Sequence, residues 1–207
     1  MDYLSFLKKV INYCYRRPMS KILRVNKVFT KFILPNLKPM IKGNLNLAKQ
    51  ISVQQIVLCQ GSGNVSIGER CSLGFKLGGF WRGGSIELQA RYVNSKIKLG
   101  NNIATNNNIM LCAANYIEIG DDTLIGQYVT IMDHEAHGTI PENRRKVGEI
   151  GKVIIGKNCW IGNNVTILKN TEIGDNTIIA TGAVVSGRFP ENVIIGGVPA
   201  KIIKTIQ

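Results

Sequence analysis

The chain has two histidines, His134 and His137, and both fall in the short stretch MDHEAHGTIPENRRKVGEIGK beside the carboxylates Asp133, Glu135 and Glu149. An imidazole, with an unperturbed pKa of about 6.5, exchanges a proton near neutral pH, so this stretch has the groups that general acid–base chemistry needs. Histidine and glutamate are also metal ligands. Here, however, the spacing His-Glu-Ala-His is shorter than the helical HExxH pattern and no cysteine pair completes a site, so no metal centre is expected. Any of the three carboxylates would orient an imidazole by accepting its second N–H, and sequence does not choose among them.

These residues interrupt a regular rhythm. Ile155, Ile161, Ile167, Ile173, Ile179 and Val185 recur every six residues, and Ile119, Ile125 and Ile131 carry the same period upstream, with weaker copies at Ile67, Leu73 and Leu99. A helical period of 3.6 cannot keep them on one face. Gly120, Gly126, Gly156, Gly162 and Gly174 follow the aliphatic positions, often with Asn or Asp next, so each hexad reads as one short strand and one corner. A single hexad cannot bury its side chain, but stacked turns can, at roughly 1.5–3 kcal/mol per aliphatic residue. An ordinary β-sandwich with chance spacing does not account for six consecutive matches. The spacing predicts an all-β coil over 46–205, a partly helical N-terminal segment over 1–45, and an extruded loop over 132–152, which in a compact repeat protein is usually functional. A second break, LGGFWRGGS over 77–85, offers Phe80 and Trp81 for stacking on a ring or packing on a coil.

From about residue 60 to 205 the pattern resembles the bacterial hexapeptide-repeat transferases, especially the branch of galactoside, maltose and capsular-polysaccharide O-acetyltransferases. The residues that carry the resemblance are IGQYVT before the histidine loop, then CWIGNNVTI and IGDNTIIATGAVVSGRFPENVIIGGVPAKII. The resemblance implies a left-handed parallel β-helix, a homotrimer with sites between subunits, acetyl-CoA as donor and a carbohydrate acceptor. It implies His134 as catalytic base, with Asn106 at the acceptor hydroxyl and Glu149 supporting the loop or the histidine. It places Gly162, Asn163, Thr181, Gly182 and Ser186 along the coenzyme's pantetheine arm, Lys201 toward its phosphates, and the backbone N–H near Asn163 toward the developing oxyanion. His137, Trp81 and Asp133 are expected at the acceptor. Two departures stand out: the approach to His134 through TIMD is shorter than in the galactoside enzymes, and Arg188 stands where they have an acidic residue, after Gly187 in place of a lysine.

Composition narrows the setting. Of a net charge of +13, +9 lies before residue 43, where ten Lys and Arg face Asp2 alone. Such a segment would meet anionic lipid, glycan or nucleic acid equally well. With no RNP, zinc-finger or helix-turn-helix signature beside it, no nucleic acid is expected, and a peripheral membrane contact through 1–42 stands against a merely solvated face. The five cysteines contain no CxxC pair, and no 18-residue apolar run or signal sequence is apparent, so a cytoplasmic protein, at most peripheral at the inner membrane face, is expected. The competing functions are an N-acetyltransferase of an amino-sugar nucleotide and a non-enzymatic trimeric scaffold.

Overall fold

The computed structural model describes residues 27–206, and over these the hexads wind into a left-handed parallel β-helix of triangular section. Ile155 lies in register with Ile173, three hexads further on, so each turn lays one strand on each of three faces. One turn shows the path: Tyr116–Ile119 on the first face, Leu124–Ile125 on the second and Thr130–Met132 on the third. The three sheets have seven, eight and six strands. Successive turns pair in parallel, and the eighth strand of the second face, Ala200–Thr205, folds back antiparallel on Val193–Gly197 to cover that edge.

The aliphatic hexad position is the inward one. Leu99, Ile119, Ile155 and Ile173 stack in register on the first face and are at most 4% exposed. Leu88, Leu111, Ile131, Ile167 and Val185 do the same on the third, and their neighbours in sequence point outward, as the two-residue period of a strand requires. The corners divide their labour in a way the sequence reading merged. The asparagines supply the left-handed backbone, with φ of 52° at Asn158, 55° at Asn164 and 57° at Asn176. Gly156 serves close approach instead: a Cβ there would come within 2.7 Å of the Asp175 backbone nitrogen in the next turn.

Helical turns close the other end of the coil. They run over Phe29–Ile33, Leu34–Asn36 and Leu37–Ile41. Pro35 and Pro39 change the winding without breaking it, because each sits in the opening turn of its element, where its missing N–H would have no helical partner. Phe32 is fully buried against the core. Buried Asn36 ties the helical segment to the third face, donating to the carbonyls of Phe32 and Val57 at 2.7 Å and accepting from the Cys59 N–H at 2.6 Å. The part of the expected helical segment before residue 27 lies outside the described residues. No helix among the described residues is long and apolar enough to cross a membrane.

The histidine loop leaves the coil without disturbing it. Ile119 pairs directly with Ile155 although thirty-six residues separate them in the chain, twice the ordinary turn. The excursion closes on itself as a hairpin: Glu135 N–H donates to the Glu149 carbonyl at 2.9 Å, Gly148 N–H to the Glu135 carbonyl at 3.0 Å, and Gly138 N–H to the Lys146 carbonyl at 2.8 Å.

Candidate active site

His134 leaves the third face immediately after Thr130–Met132, at the corner where the chain would otherwise turn onto the first face. Its ring is buried, with 4% of the residue exposed, and Nδ1 lies 2.8 Å from Asp133 Oδ1. Asp133 is wholly buried beneath it. The corner of the preceding turn encloses that carboxylate: Ala114 N–H donates to Oδ1 at 2.7 Å, and the N–H groups of Asn115 and Tyr116 donate to Oδ2 at 2.8 and 2.7 Å. A carboxylate so surrounded can only accept, so Nδ1 carries the ring proton and Nε2 keeps a lone pair. The pair is therefore set as a base whose reactive nitrogen is Nε2, with Asp133 placed behind the ring and out of reach of an acceptor.

Arg91 meets that nitrogen. It follows the strand Ser85–Ala90, and its Nη1 lies 3.3 Å from Nε2. Sequence gave no sign of it, since Arg91 falls in the irregular stretch between two hexad copies. Burial, chiefly, pushes the thiol of Cys112 up, with nearby Arg91 opposing, so this cysteine on the same face stays neutral.

The other loop residues stand elsewhere. His137 Nδ1 lies 2.9 Å from the Arg144 carbonyl, which makes it a brace within the loop. Glu149 is exposed and bonds Lys169 at 2.6 Å and Asn170 Nδ2 at 3.1 Å, fastening the loop to the next turn rather than touching the imidazole. The lysine's hydrogen bond holds the Glu149 carboxyl below its ordinary value, and Glu149 in turn raises Lys169. Glu135 also pairs with Lys169, at 3.4 Å.

The remaining expected site residues divide between two edges of the prism. Asn106, Asn163, Thr181 and Gly182 stack at the edge between the second and third faces. The bonds that stack them are Tyr128 N–H to the Asn107 carbonyl at 3.1 Å, Gln127 N–H to Asn163 Oδ1 at 2.9 Å, and Gly182 N–H to the Asn163 carbonyl at 2.9 Å. Gly162 belongs to the same edge, where a Cβ would come within 2.7 Å of the Thr181 nitrogen. His134 and Ser186 lie at the opposite edge of the third face, beyond Thr130–Met132 and Val184–Val185. At about 3.3 Å per residue, the five or so residues across that face separate the edges by roughly 17 Å. Within one chain, then, His134 does not meet Asn106 or the glycine-rich edge. Lys201 is exposed on the final strand, opposite Gly196.

The second break in the rhythm lies at the Asn106 edge. Phe80 packs edge-on against Tyr128, with ring centroids 5.6 Å apart, and with Glu87, Asn108 and Met110 they line a cavity of about 420 Å³. Trp81 is not among the lining residues and has the cations of Lys31 and Arg82 at 5.1 and 5.2 Å from its ring. Among the described residues no three His, Cys, Asp or Glu side chains converge as a metal site would require.

Known proteins resemble this chain in sequence and in fold. The family described as bacterial transferase hexapeptide (six repeats) matches residues 152–187. The Escherichia coli (strain K12) protein WbbJ, named for lipopolysaccharide biosynthesis O-acetyl transfer, is 35% identical over 155 residues, covering 69% of this chain and 72% of that one. The galactoside O-acetyltransferase of the same organism is 36% identical over 117 residues, 55% of this chain and 56% of that protein. Among solved structures, a polySia-specific acetyltransferase, NeuO, superposes with a TM-score of 0.62 at 21% identity over 78% of this chain and 66% of that one. A galactoside acetyltransferase in complex with coenzyme A gives 0.50 at 21% identity over 97% and 78%. These two likenesses speak for the fold.

Proposed function

The chain belongs to the bacterial hexapeptide-repeat acetyltransferases, and from that membership we propose that it moves an acetyl group from acetyl-CoA to a hydroxyl of a carbohydrate, a surface-glycan unit or its precursor, with His134 as general base. The observation that carries this reading is the Asp133–His134 pair, which leaves Nε2 as an oriented proton acceptor on a loop the fold extrudes. Acetyl-CoA supplies an activated acyl group, because a thiolate is a much weaker base than an alkoxide and so a better leaving group. His134 Nε2 takes the proton of the acceptor hydroxyl as its oxygen attacks, so no free alkoxide forms at neutral pH, and then returns that proton to the departing sulfur. Asp133 fixes the tautomer and steadies the imidazolium while it lasts.

The active assembly in this reading is a homotrimer. The edge with Gly162, Asn163, Thr181 and Gly182 suits the donor's pantetheine arm, since Gly182 is open, with no atom within 4 Å of a Cβ placed there. A second copy supplies that edge, with its Asn106 and the Phe80–Tyr128 cavity, to the His134 edge of the first, while Ser186 borders the arm from the His134 side and exposed Lys201 reaches the phosphates. Asn106 then holds the acceptor hydroxyl, and the backbone N–H near Asn163 faces the developing oxyanion. Ten cations before residue 43 would draw this assembly to an anionic surface such as lipid headgroups.

The test is CoA release from acetyl-CoA with a panel of glycosides, lipid-linked sugars and amino-sugar nucleotides, followed by mild alkali. Acceptor-dependent release with an alkali-labile product is expected. An alkali-stable amide would instead make the enzyme an N-acetyltransferase, and absence of both turnover and CoA binding would leave a scaffold.

A further inference from the structure

Nε2 of His134 is the atom on which the proposed reaction turns, yet it already has a neighbour. Arg91 Nη1 approaches it to 3.3 Å, while Nδ1 is committed to Asp133. With the residue only 4% exposed and its side chain buried, the guanidinium covers the one lone pair an acceptor hydroxyl must reach. An acceptor therefore has to draw Arg91 aside before His134 can act. Glu87, on the strand that Arg91 follows, accepts from Ser85 Oγ at 3.2 Å and from Gln89 Nε2 at 2.8 Å, not from Arg91. Among the described residues no Asp or Glu forms an ion pair with Arg91, whereas Arg70 and Arg188 each have one. The residue itself is exposed, so its planar, permanently charged fork is free to swing toward solvent and toward a ligand.

We propose that Arg91 is a specificity-determining residue that leaves Nε2 to bind an anionic group, a carboxylate or a phosphate, on the acceptor sugar close to the hydroxyl that is acetylated. The exchange has a simple physical drive. A guanidinium gains little from a neutral imidazole nitrogen but forms a bidentate, charge-assisted pair with carboxylate or phosphate oxygens. The same movement uncovers the base, so an anionic acceptor both binds and exposes the nitrogen that deprotonates it. A neutral sugar offers the arginine nothing in return and must displace it unaided. This inference rests on the transferase reading above and narrows its acceptor class.

Matched acceptors test it: a hexoside, the corresponding hexuronoside and the corresponding sugar phosphate, each with the native enzyme and with Arg91→Gln and Arg91→Lys. The native enzyme is expected to favour one anionic member by tenfold or more in kcat/KM over the neutral one, and which member it favours separates carboxylate from phosphate. Arg91→Gln should raise KM for that acceptor at least tenfold and erase the preference, while turnover of the neutral hexoside holds or rises because the base is uncovered. Arg91→Lys should recover only part, since an ammonium lacks the fork. Equal kcat/KM for neutral and anionic sugars in the native enzyme overturns the inference and leaves the transferase reading standing. So does an Arg91→Gln enzyme that loses kcat equally on all three with KM unchanged. Acceptor-dependent CoA release that persists undiminished in His134→Ala removes His134 as the base, and the inference with it, whereas a native protein with neither turnover nor CoA binding overturns the transferase reading itself.

Discussion

Replacing His134 with alanine is expected to lower acceptor-dependent CoA release by about 10²–10⁴-fold, the usual contribution of a positioned general base. The loss should fall on kcat, because the imidazole acts on the proton in flight and adds little to binding of the ground state. Acetyl-CoA affinity should hold, since the groups read as binding the donor are Gly162, Asn163, Thr181, Gly182, Ser186 and Lys201, and His134 is not among them. A buried ring is being removed, so the thermal transition must be followed in parallel; His134→Asn, which keeps much of the volume, should show the same kinetic loss with a smaller change in stability. Undiminished turnover in both variants would remove His134 from the mechanism.

The second large effect is expected at Asp133. Its two oxygens take three backbone N–H groups from the preceding corner and the ring N–H of His134. An asparagine carries one acceptor in place of two, so whichever way its amide turns, the NH₂ group faces donors. One orientation orphans the N–H groups of Asn115 and Tyr116; the other orphans Ala114 and presents a donor to the imidazole, inviting the wrong tautomer. Leaving buried donors unpaired costs about 1–3 kcal/mol each, so Asp133→Asn should lose about 2–4 kcal/mol of stability in urea melts. Its kcat should fall on the order of 10⁴-fold, as a mis-set tautomer implies. Glu149→Gln is the contrast. Its carboxylate bonds Lys169 and Asn170 on the next turn, so kcat should stay close to native. A reversal of the two would mean that Glu149, not Asp133, supports the base.

The coil was readable in the sequence because its signal is local and repeated. Each turn needs an inward aliphatic residue every six positions, and Ile155 through Val185 state that requirement without interruption. His134 was readable for the opposite reason: it stands where the rhythm stops. What could not be read was anything fixed by stacking distant turns. Asp133, Glu135 and Glu149 are equivalent as letters, and only the Ala114–Tyr116 corner, brought beneath the loop by the coil, singles out Asp133. Arg91 reaches the imidazole from a turn forty-three residues earlier, in a stretch with no pattern to mark it. The sequence also joined in one site residues that the prism holds apart. Asn106 and Asn163 follow second-face strands and His134 follows a third-face strand, a distinction invisible until the faces are assigned. Likewise the Gly and Asn of each corner look like one turn signal, although the Asn meets a backbone angle and the Gly meets the neighbouring turn.

That separation of edges gives the most direct measurement. If each active site takes His134 from one copy and Asn106 from the next, His134→Ala and Asn106→Ala chains should each be nearly inactive alone. Denatured together in equal amounts and refolded as mixed trimers, they should regain roughly one quarter of native acceptor-dependent CoA release, because one interface in four pairs an intact His134 with an intact Asn106. Mixed assemblies as inactive as either parent would contradict a site shared between copies.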